Sequence, residues 1–178
     1  MKKTKMQKAY DLAFKYEREW KYCSQCTFKA LMDVYKIKNE DFFKALSGFG
    51  AGGAMEADGM CGAYLAGVFF LGLKLGREIS DIGMDPDDPR ASKKNRRLAS
   101  IIKKLHEKFI KEYGSITCSL IHRKLFGRSF YIPDPDESEK FEEAGAHEWA
   151  CTSVCGNAAK WTVEIYEGLK DEEKNPVK

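Results

Sequence analysis

The sequence has no apolar run long enough to cross a membrane. Its longest mostly apolar run covers residues 63–73, far short of the ~20 residues that a membrane-spanning helix requires. The basic first residues resemble the start of a signal peptide, but no apolar core segment or small-residue cleavage site follows them. We therefore expect a cytoplasmic protein without a membrane span.

Several ligand-binding motifs are missing as well. The glycines of residues 48–62 are not followed by the Gly-Lys-Ser/Thr of a P-loop, and no predicted strand precedes them as a dinucleotide fingerprint requires. No Cys-x-x-Cys-His occurs, so we expect no covalently attached haem. The 30 basic and 27 acidic residues give a net charge of +3, a near balance that does not indicate nucleic-acid binding.

Helical periodicity is present in every long segment. Apolar residues recur at three- and four-residue steps over residues 5–21, 27–35, 93–113, 116–127 and 147–169. Residues 61–77 are apolar on nearly all sides, which is typical of a central helix.

Capping residues and breaks complete the predicted fold. Asn39 is placed to cap a short helix over residues 40–48, and Ser92 is placed to cap the basic helix that follows it. Residues 128–147 are expected to form a long acidic loop, in which only residues 129–132 have strand character. The chain of 178 residues is therefore predicted to be one all-α domain over residues 1–178. We expect a helical bundle of five to seven helices, with a glycine-rich loop before the central helix.

The six cysteines are the main functional signal. Static disulfides are rare in the cytoplasm, so metal binding, catalysis or reversible redox chemistry is favoured for them. Four of them lie near predicted helix N-termini: Cys23, Cys61, Cys118 and Cys151. Free N–H groups and the helix dipole at such positions lower a thiol pKa and favour the reactive thiolate. For each cysteine alone, packing as a small apolar residue is the competing explanation.

The other two cysteines extend this set. Cys26 follows Cys23 by three residues and Cys155 follows Cys151 by four, about one helical turn in each case. His122 follows Cys118 by four residues and His147 precedes Cys151 by four, a spacing at which two side chains on one helix can share a metal. No two cysteine pairs have zinc-ribbon spacing.

The segments around the cysteines resemble a known family. "GFGAGG" with "GMCGAYLAG", the upstream "CSQC", "YGSITC" and "CTSVCGNAAKW" resemble the redox-active proteins named for a C…GCAxxG…C…C pattern. That family is similar to the helical split-Soret cytochrome group. The resemblance covers residues 23–169 and implies a small all-α redox protein. It implies that the four defining cysteines are Cys23, Cys61, Cys118 and Cys151, with Cys26 and Cys155 as additions.

Three hypotheses remain open from the sequence. In the first, Cys61 is a reactive thiolate that Cys23, Cys118 or Cys151 resolves into a reversible disulfide, with Gly59 and Gly62 making room for a partner group or cofactor. In the second, the same four thiols are ligands of an iron–sulfur cluster or metal ion, with Cys26 and Cys155 as extra ligands. In the third, the cysteines are core residues of a helical interaction protein.

The expected partner is a redox protein or a small-molecule electron donor or acceptor. A homodimer is compatible with a bundle of this size.

Overall fold

The computed structural model describes residues 3–81 and 89–174 of the chain, and this part is built from α-helices. Its eight α-helices are α1 (Lys5–Trp20), α2 (Cys23–Tyr35), α3 (Glu40–Ala45), α4 (Gly62–Leu75), α5 (Pro89–Tyr113), α6 (Cys118–Phe126), α7 (Pro135–Glu143) and α8 (Cys151–Lys174). The predicted all-α bundle is confirmed, with a helix count one above the predicted range.

Side-chain caps explain where several helices begin. The Thr4 hydroxyl accepts the N–H of Gln7 at α1, and Asn39 accepts the N–H groups of Asp41 and Phe42 at α3, as predicted. Such caps satisfy backbone donors that have no partner inside the helix.

The core is formed where α1, α2, α4 and α8 pack together, and α5 lies against α4 and α8. Small residues allow the close approach: Ala9 and Ala13 on α1 are fully buried in the core. On α4, a Cβ added at Gly67 would lie 2.5 Å from the Thr162 hydroxyl oxygen of α8 and 2.7 Å from a Leu105 methyl of α5. The central position predicted for this apolar, glycine-containing helix is therefore confirmed.

Three predictions about local structure were wrong. Helix α2 begins at Cys23 rather than near residue 27, so both cysteines of "CSQC" are helical. Helix α5 begins at Pro89, which places Ser92 inside the helix instead of at its cap. The predicted start of the last helix near residue 147 is confirmed, because a π-helical turn over Ala146–Ala150 leads directly into α8.

The third error concerns the acidic segment. Residues 129–132 are described and form no strand, and the predicted loop contains α7. Asp134 accepts the N–H groups of Asp136 and Glu137 there, and Pro135 occupies the first helical turn, where its missing N–H costs nothing. Phe141 of α7 packs with Phe130 and Ala146 in a small second core. The three acidic residues and two prolines within residues 85–89 also predict a break between helices over residues 81–90, and residues 82–88 of that stretch lie outside the described residues.

Within residues 3–81 and 89–174, no helix combines the length and hydropathy needed to span a bilayer.

Candidate thiol site

A tightly folded loop over residues 46–61 connects α3 to α4. It contains a 3-10 turn over Ser47–Gly52. Four of its non-glycine residues, one inside that turn and three after it, have positive φ: Ala51, Ala54, Met55 and Ala57. Such backbone conformations cost free energy for residues with a Cβ and persist only where the surroundings hold them. Here the Ala57 N–H donates to the Ala51 carbonyl oxygen over 2.8 Å.

Two glycines of this loop are required by its close contacts. A Cβ at Gly59 would lie 2.1 Å from the Gly52 carbonyl oxygen, and one at Gly52 would lie 3.0 Å from Cys118 Cβ. The loop is therefore packed against the cysteine of α6.

A short antiparallel bridge joins the starts of α4 and α6. Met60 pairs with Thr117, the Cys61 N–H donates to the Ile116 carbonyl over 2.8 Å, and the Cys118 N–H donates to the Gly59 carbonyl over 2.9 Å. Two cysteines that are 57 positions apart in the sequence are thereby held at neighbouring helix starts. Each side chain is buried, with 6% of its surface exposed.

Cys23, the first residue of α2, lies against the start of α4. A Cβ added at Gly62 would be only 2.6 Å from the Cys23 sulfur, so the absence of a side chain at Gly62 is what leaves room for this thiol beside Cys61. The observed contacts of Gly59 and Gly62 thus serve packing, and neither residue lines the adjacent cavity.

A cavity of ≈ 320 Å³ opens beside this cluster. Both Cys23 and Cys151, which are half-buried, line it. Acidic and basic side chains line it too, together with apolar ones: Glu17, Lys21, His122, Glu142 and His147, and Tyr22, Met55, Ile132 and Phe141. Of the four cysteines selected from the sequence, two therefore face the cavity, while Cys61 and Cys118 do not line it.

Electrostatic effects among the thiols show that the four lie within range of one another. Among the thiols, Cys61 raises the pKa of Cys23 most, and Cys118 raises the pKa of Cys151 most. Cys61 also raises the pKa of Cys118. All six cysteines are free thiols.

Glu17 of α1 is a member of the site that the sequence analysis missed. Its side chain is 2% exposed, its Oε2 has no hydrogen-bond partner, and its Oε1 lies 3.6 Å from His147 Nε2. A signal for its burial exists in the sequence, because Glu17 continues the four-residue steps of Ala9 and Ala13 along the buried face of α1.

The two additional cysteines lie beside this carboxylate. Burial raises the pKa of Glu17 to about 7, although interactions with the thiols of Cys26 and Cys155 act to lower it. The Cys26 thiol also donates to the Lys21 carbonyl over 2.8 Å, and Cys155 is fully buried.

The predicted lowering of thiol pKa at the helix starts was wrong. Burial raises the pKa of all six thiols, and the charge of Glu17 raises each of them further. The helix start does act on Cys61, because the N–H groups of Ala63 and Tyr64 lower its pKa without forming a capping hydrogen bond of normal geometry. Burial still prevails, and the pKa of Cys61 is raised to about 11. At neutral pH the resting site therefore holds neutral thiols.

The two histidines of the site have different surroundings. His122 Nε2 lies 3.5 Å from the Cys118 sulfur, and burial among phenylalanine rings lowers the His122 pKa to about 4. His147 Nδ1 lies 2.8 Å from Glu142 Oε1, which also accepts a 2.7 Å hydrogen bond from the Lys21 ammonium.

The metal-ligand hypothesis finds no ligand set here. Across residues 3–81 and 89–174, no three or more His, Cys, Asp or Glu side chains are arranged to hold a single metal ion. The described residues therefore offer no preformed site for a single metal ion.

The family comparison agrees with the cysteine pattern. The model of the family described as "Putative redox-active protein (C_GCAxxG_C_C)" matches residues 21–165. The chain belongs to this family. All six cysteines fall within the matched region, whereas Glu17 precedes it. Neither a curated protein nor a solved structure matches the chain.

Proposed function

We propose that this member of the redox-active family is a dithiol–disulfide exchange protein whose reaction takes place in the Cys23–Cys151 cavity. The observation that carries the proposal is the arrangement of the thiols in two layers. Cys23 and Cys151 line a cavity large enough for a small disulfide or a side chain of a partner, and Cys61 and Cys118 lie close to them away from that cavity.

This arrangement suits the two steps of thiol–disulfide exchange. In the first, the Cys23 sulfur attacks one sulfur of a substrate disulfide, the substrate S–S bond breaks, and one substrate thiolate leaves and takes up a proton. In the second, the Cys61 sulfur attacks Cys23 in the mixed disulfide, the second substrate thiol leaves, and a Cys23–Cys61 disulfide remains. The substrate disulfide is reduced to two thiols, and the protein dithiol is oxidised.

The pairing of Cys23 with Cys61 rests on their contacts. The Cys23 sulfur lies against Gly62, the residue after Cys61, and Cys61 has the smallest rise in pKa among the six thiols. Cys151 is paired with Cys118, because Cys118 raises the pKa of Cys151 more than any other thiol does. A reducing compartment such as the cytoplasm would return both pairs to thiols, with a redox protein or a small thiol as the electron donor.

Trapping of the mixed disulfide tests this proposal. Reduced wild-type protein treated with oxidised glutathione is expected to lose thiols in pairs, whereas Cys61→Ser, which lacks the resolving thiol, is expected to accumulate a mixed disulfide at Cys23. Peptide mass spectrometry locates the adduct. Cys61→Ser cannot form the Cys23–Cys61 disulfide. In Cys23→Ser, which lacks the attacking thiol, we expect Cys61 to be oxidised at least about tenfold more slowly than in wild type.

Cys26→Ser is the matched control. Cys26 is a thiol of the same helix as Cys23, but it is buried, and it donates to the Lys21 carbonyl instead of lining the cavity. It should leave the exchange rate within about twofold of wild type. Equal adducts on all six cysteines, or none on Cys23 in the Cys61→Ser variant, would contradict the proposed function. The same samples are measured for bound iron and zinc, whose presence in stoichiometric amounts would favour a metal site instead.

A further inference from the structure

The resting thiols create a chemical problem for the proposed reaction. The nucleophile in disulfide exchange is the thiolate, but burial keeps every cysteine of the site protonated at neutral pH. A proton acceptor close to the thiols is therefore required, and the reaction must also return that proton to the departing substrate thiolate.

Glu17 occupies the position such an acceptor needs. It lines the cavity together with Cys23 and Cys151, and its charge acts on all six thiols. One carboxylate oxygen, Oε2, is buried without a hydrogen-bond partner. A buried carboxylate oxygen without a partner is costly in a core, and a catalytic role is one explanation for such an exception in a native structure.

A chain of side chains links Glu17 to the edge of the cavity. Glu17 Oε1 is 3.6 Å from His147 Nε2, and the opposite ring nitrogen of His147 is 2.8 Å from Glu142 Oε1. The exposed fraction of these side chains rises along the series, from 2% for Glu17 to 15% for His147 and 38% for Glu142. Lys21, itself 52% exposed, closes the series through its 2.7 Å ion pair with Glu142.

We propose that Glu17 accepts the proton of the attacking cavity thiol and donates it to the leaving substrate thiolate, and that His147 and Glu142 connect this carboxylate to solvent. The inference rests on the proposed function, and it adds a catalytic residue outside the region that the family model matches. In the first step the proton moves from Cys23 to Glu17 as the new S–S bond forms, and then to the substrate sulfur as the old bond breaks. In the second step the proton of Cys61 follows the same route.

The groups that surround Glu17 are consistent with this role. Cys26 faces it from α2 and Cys155 from α8, His147 faces it from the π-helical turn, and Lys21 and Glu142 act on it from the rim of the cavity. Burial and the charge of Glu142 raise the pKa of Glu17, and Lys21 and the two thiols lower it, for a result of about 7. A carboxylate with that pKa can both accept and return a proton near neutral pH.

Glu17→Gln distinguishes a proton acceptor from a residue that only repels thiolates by its charge, because the two roles predict opposite changes in the reaction rate. If Glu17 only repels thiolates, its neutralisation lowers the thiol pKa values and speeds up the reaction. If Glu17 accepts the proton, we expect the rate of mixed-disulfide formation with oxidised glutathione at pH 8 to fall about a hundredfold. The wild-type rate should rise with pH through about 7, and the variant should lose this step.

Glu19→Gln is the control for loss of one charge on the same helix, since the Glu19 side chain is 49% exposed and pairs only loosely with Lys15. It should follow the wild-type rate and pH profile. His147→Gln leaves Glu17 in place and should slow the reaction by a smaller factor, about tenfold, because only the route to Glu142 is interrupted. A Glu17→Gln variant as fast as wild type or faster would overturn the inference, and an unchanged rate in His147→Gln would overturn the route.

A second readout does not depend on disulfide exchange. Alkylation of Cys23 by iodoacetamide also requires loss of the thiol proton, so its rate should show the same step in wild type and lose it in Glu17→Gln. If wild-type protein is alkylated with this step but does not react with oxidised glutathione, the proposed function fails while Glu17 keeps its role. If both reactions proceed in wild type and neither depends on Glu17, only the further inference fails.

Discussion

Glu17→Gln is expected to raise the free energy of unfolding at pH 8 by about 3 kcal/mol. The pKa of this carboxyl is about 7 in the folded protein, against 4.5 for an ordinary glutamate, and each unit of difference corresponds to about 1.4 kcal/mol. The charged form is the one that burial disfavours, and at pH 8 the side chain is charged. A glutamine has the same shape and carries no charge.

The sign follows from proton linkage. Because the folded pKa lies above the unfolded value, the folded state holds more protons between pH 4.5 and 7. The contribution of Glu17 to stability is therefore greatest below pH 4.5 and is lost as pH rises through 7. The advantage of Glu17→Gln should accordingly be largest at pH 8 and close to zero at pH 4.5.

Urea denaturation of wild type and variant at both pH values, with reductant present, measures the difference. His122 has the opposite dependence, since its folded pKa of about 4 lies below 6.5 and its contribution is lost as pH falls. Because His122 is present in both proteins, its effect cancels in the comparison. A variant less stable than wild type at pH 8 would contradict the argument, as it would mean that the contacts of the charged carboxylate outweigh its burial.

This prediction bears directly on function. A site residue that lowers stability where the protein works is common in active sites, since chemistry there requires groups that packing alone would not select. If Glu17→Gln is both more stable and slower in exchange, stability and activity will have been separated at one position. If the variant is more stable and equally fast, the buried carboxylate lowers the stability of the protein without a catalytic role.

Gly62→Ala is expected to destabilise the protein by about 1–3 kcal/mol, while Gly72→Ala in the same helix stabilises it. A Cβ at Gly62 would lie 2.6 Å from the Phe49 carbonyl oxygen, 2.6 Å from the Cys23 sulfur and 3.0 Å from the Ser24 nitrogen. Two of these neighbours are backbone atoms, which cannot move aside cheaply, so the methyl group overpacks the start of α4. It would also displace the Cys23 thiol, and the rate of reaction at Cys23 should fall with it.

Gly72 is the matched control, because it lies in α4 (Gly62–Leu75) and an added Cβ would meet nothing within 4 Å. Replacing a glycine by alanine inside a helix stabilises it by up to about 1 kcal/mol. The two alanine variants should therefore shift the urea midpoint in opposite directions. If both alanine variants were more stable than wild type, the start of α4 would have room for a methyl group at residue 62, and the prediction would be wrong.

The helical architecture was predictable because its determinants are local. The periodicity of apolar residues identified α1, α5 and α8, and the apolar character on all sides identified α4. The cap at Asn39 was found from the residue type and its position. Helix α7 was missed because its prolines and acidic residues were taken as a loop, although Asp134 followed by Pro135 is a helix-start signal.

The candidate site was only partly predictable. The four cysteines chosen from the sequence lie within the region that the family model matches. The local geometry of helix starts alone predicts a lowered pKa for these thiols, and this failed because desolvation depends on the whole surroundings of a sulfur. Glu17 was missed because a single acidic residue on an amphipathic helix is usually solvated.

Local patterns in the chain were thus sufficient to establish an all-α bundle and its family. Packing alone decided which thiols face the cavity, that all of them are protonated at rest, and that a carboxylate lies among them. The physical reason is one of range: helix formation depends on residues three or four apart, whereas burial and its electrostatic consequences arise only when α1, α2, α4 and α8 meet.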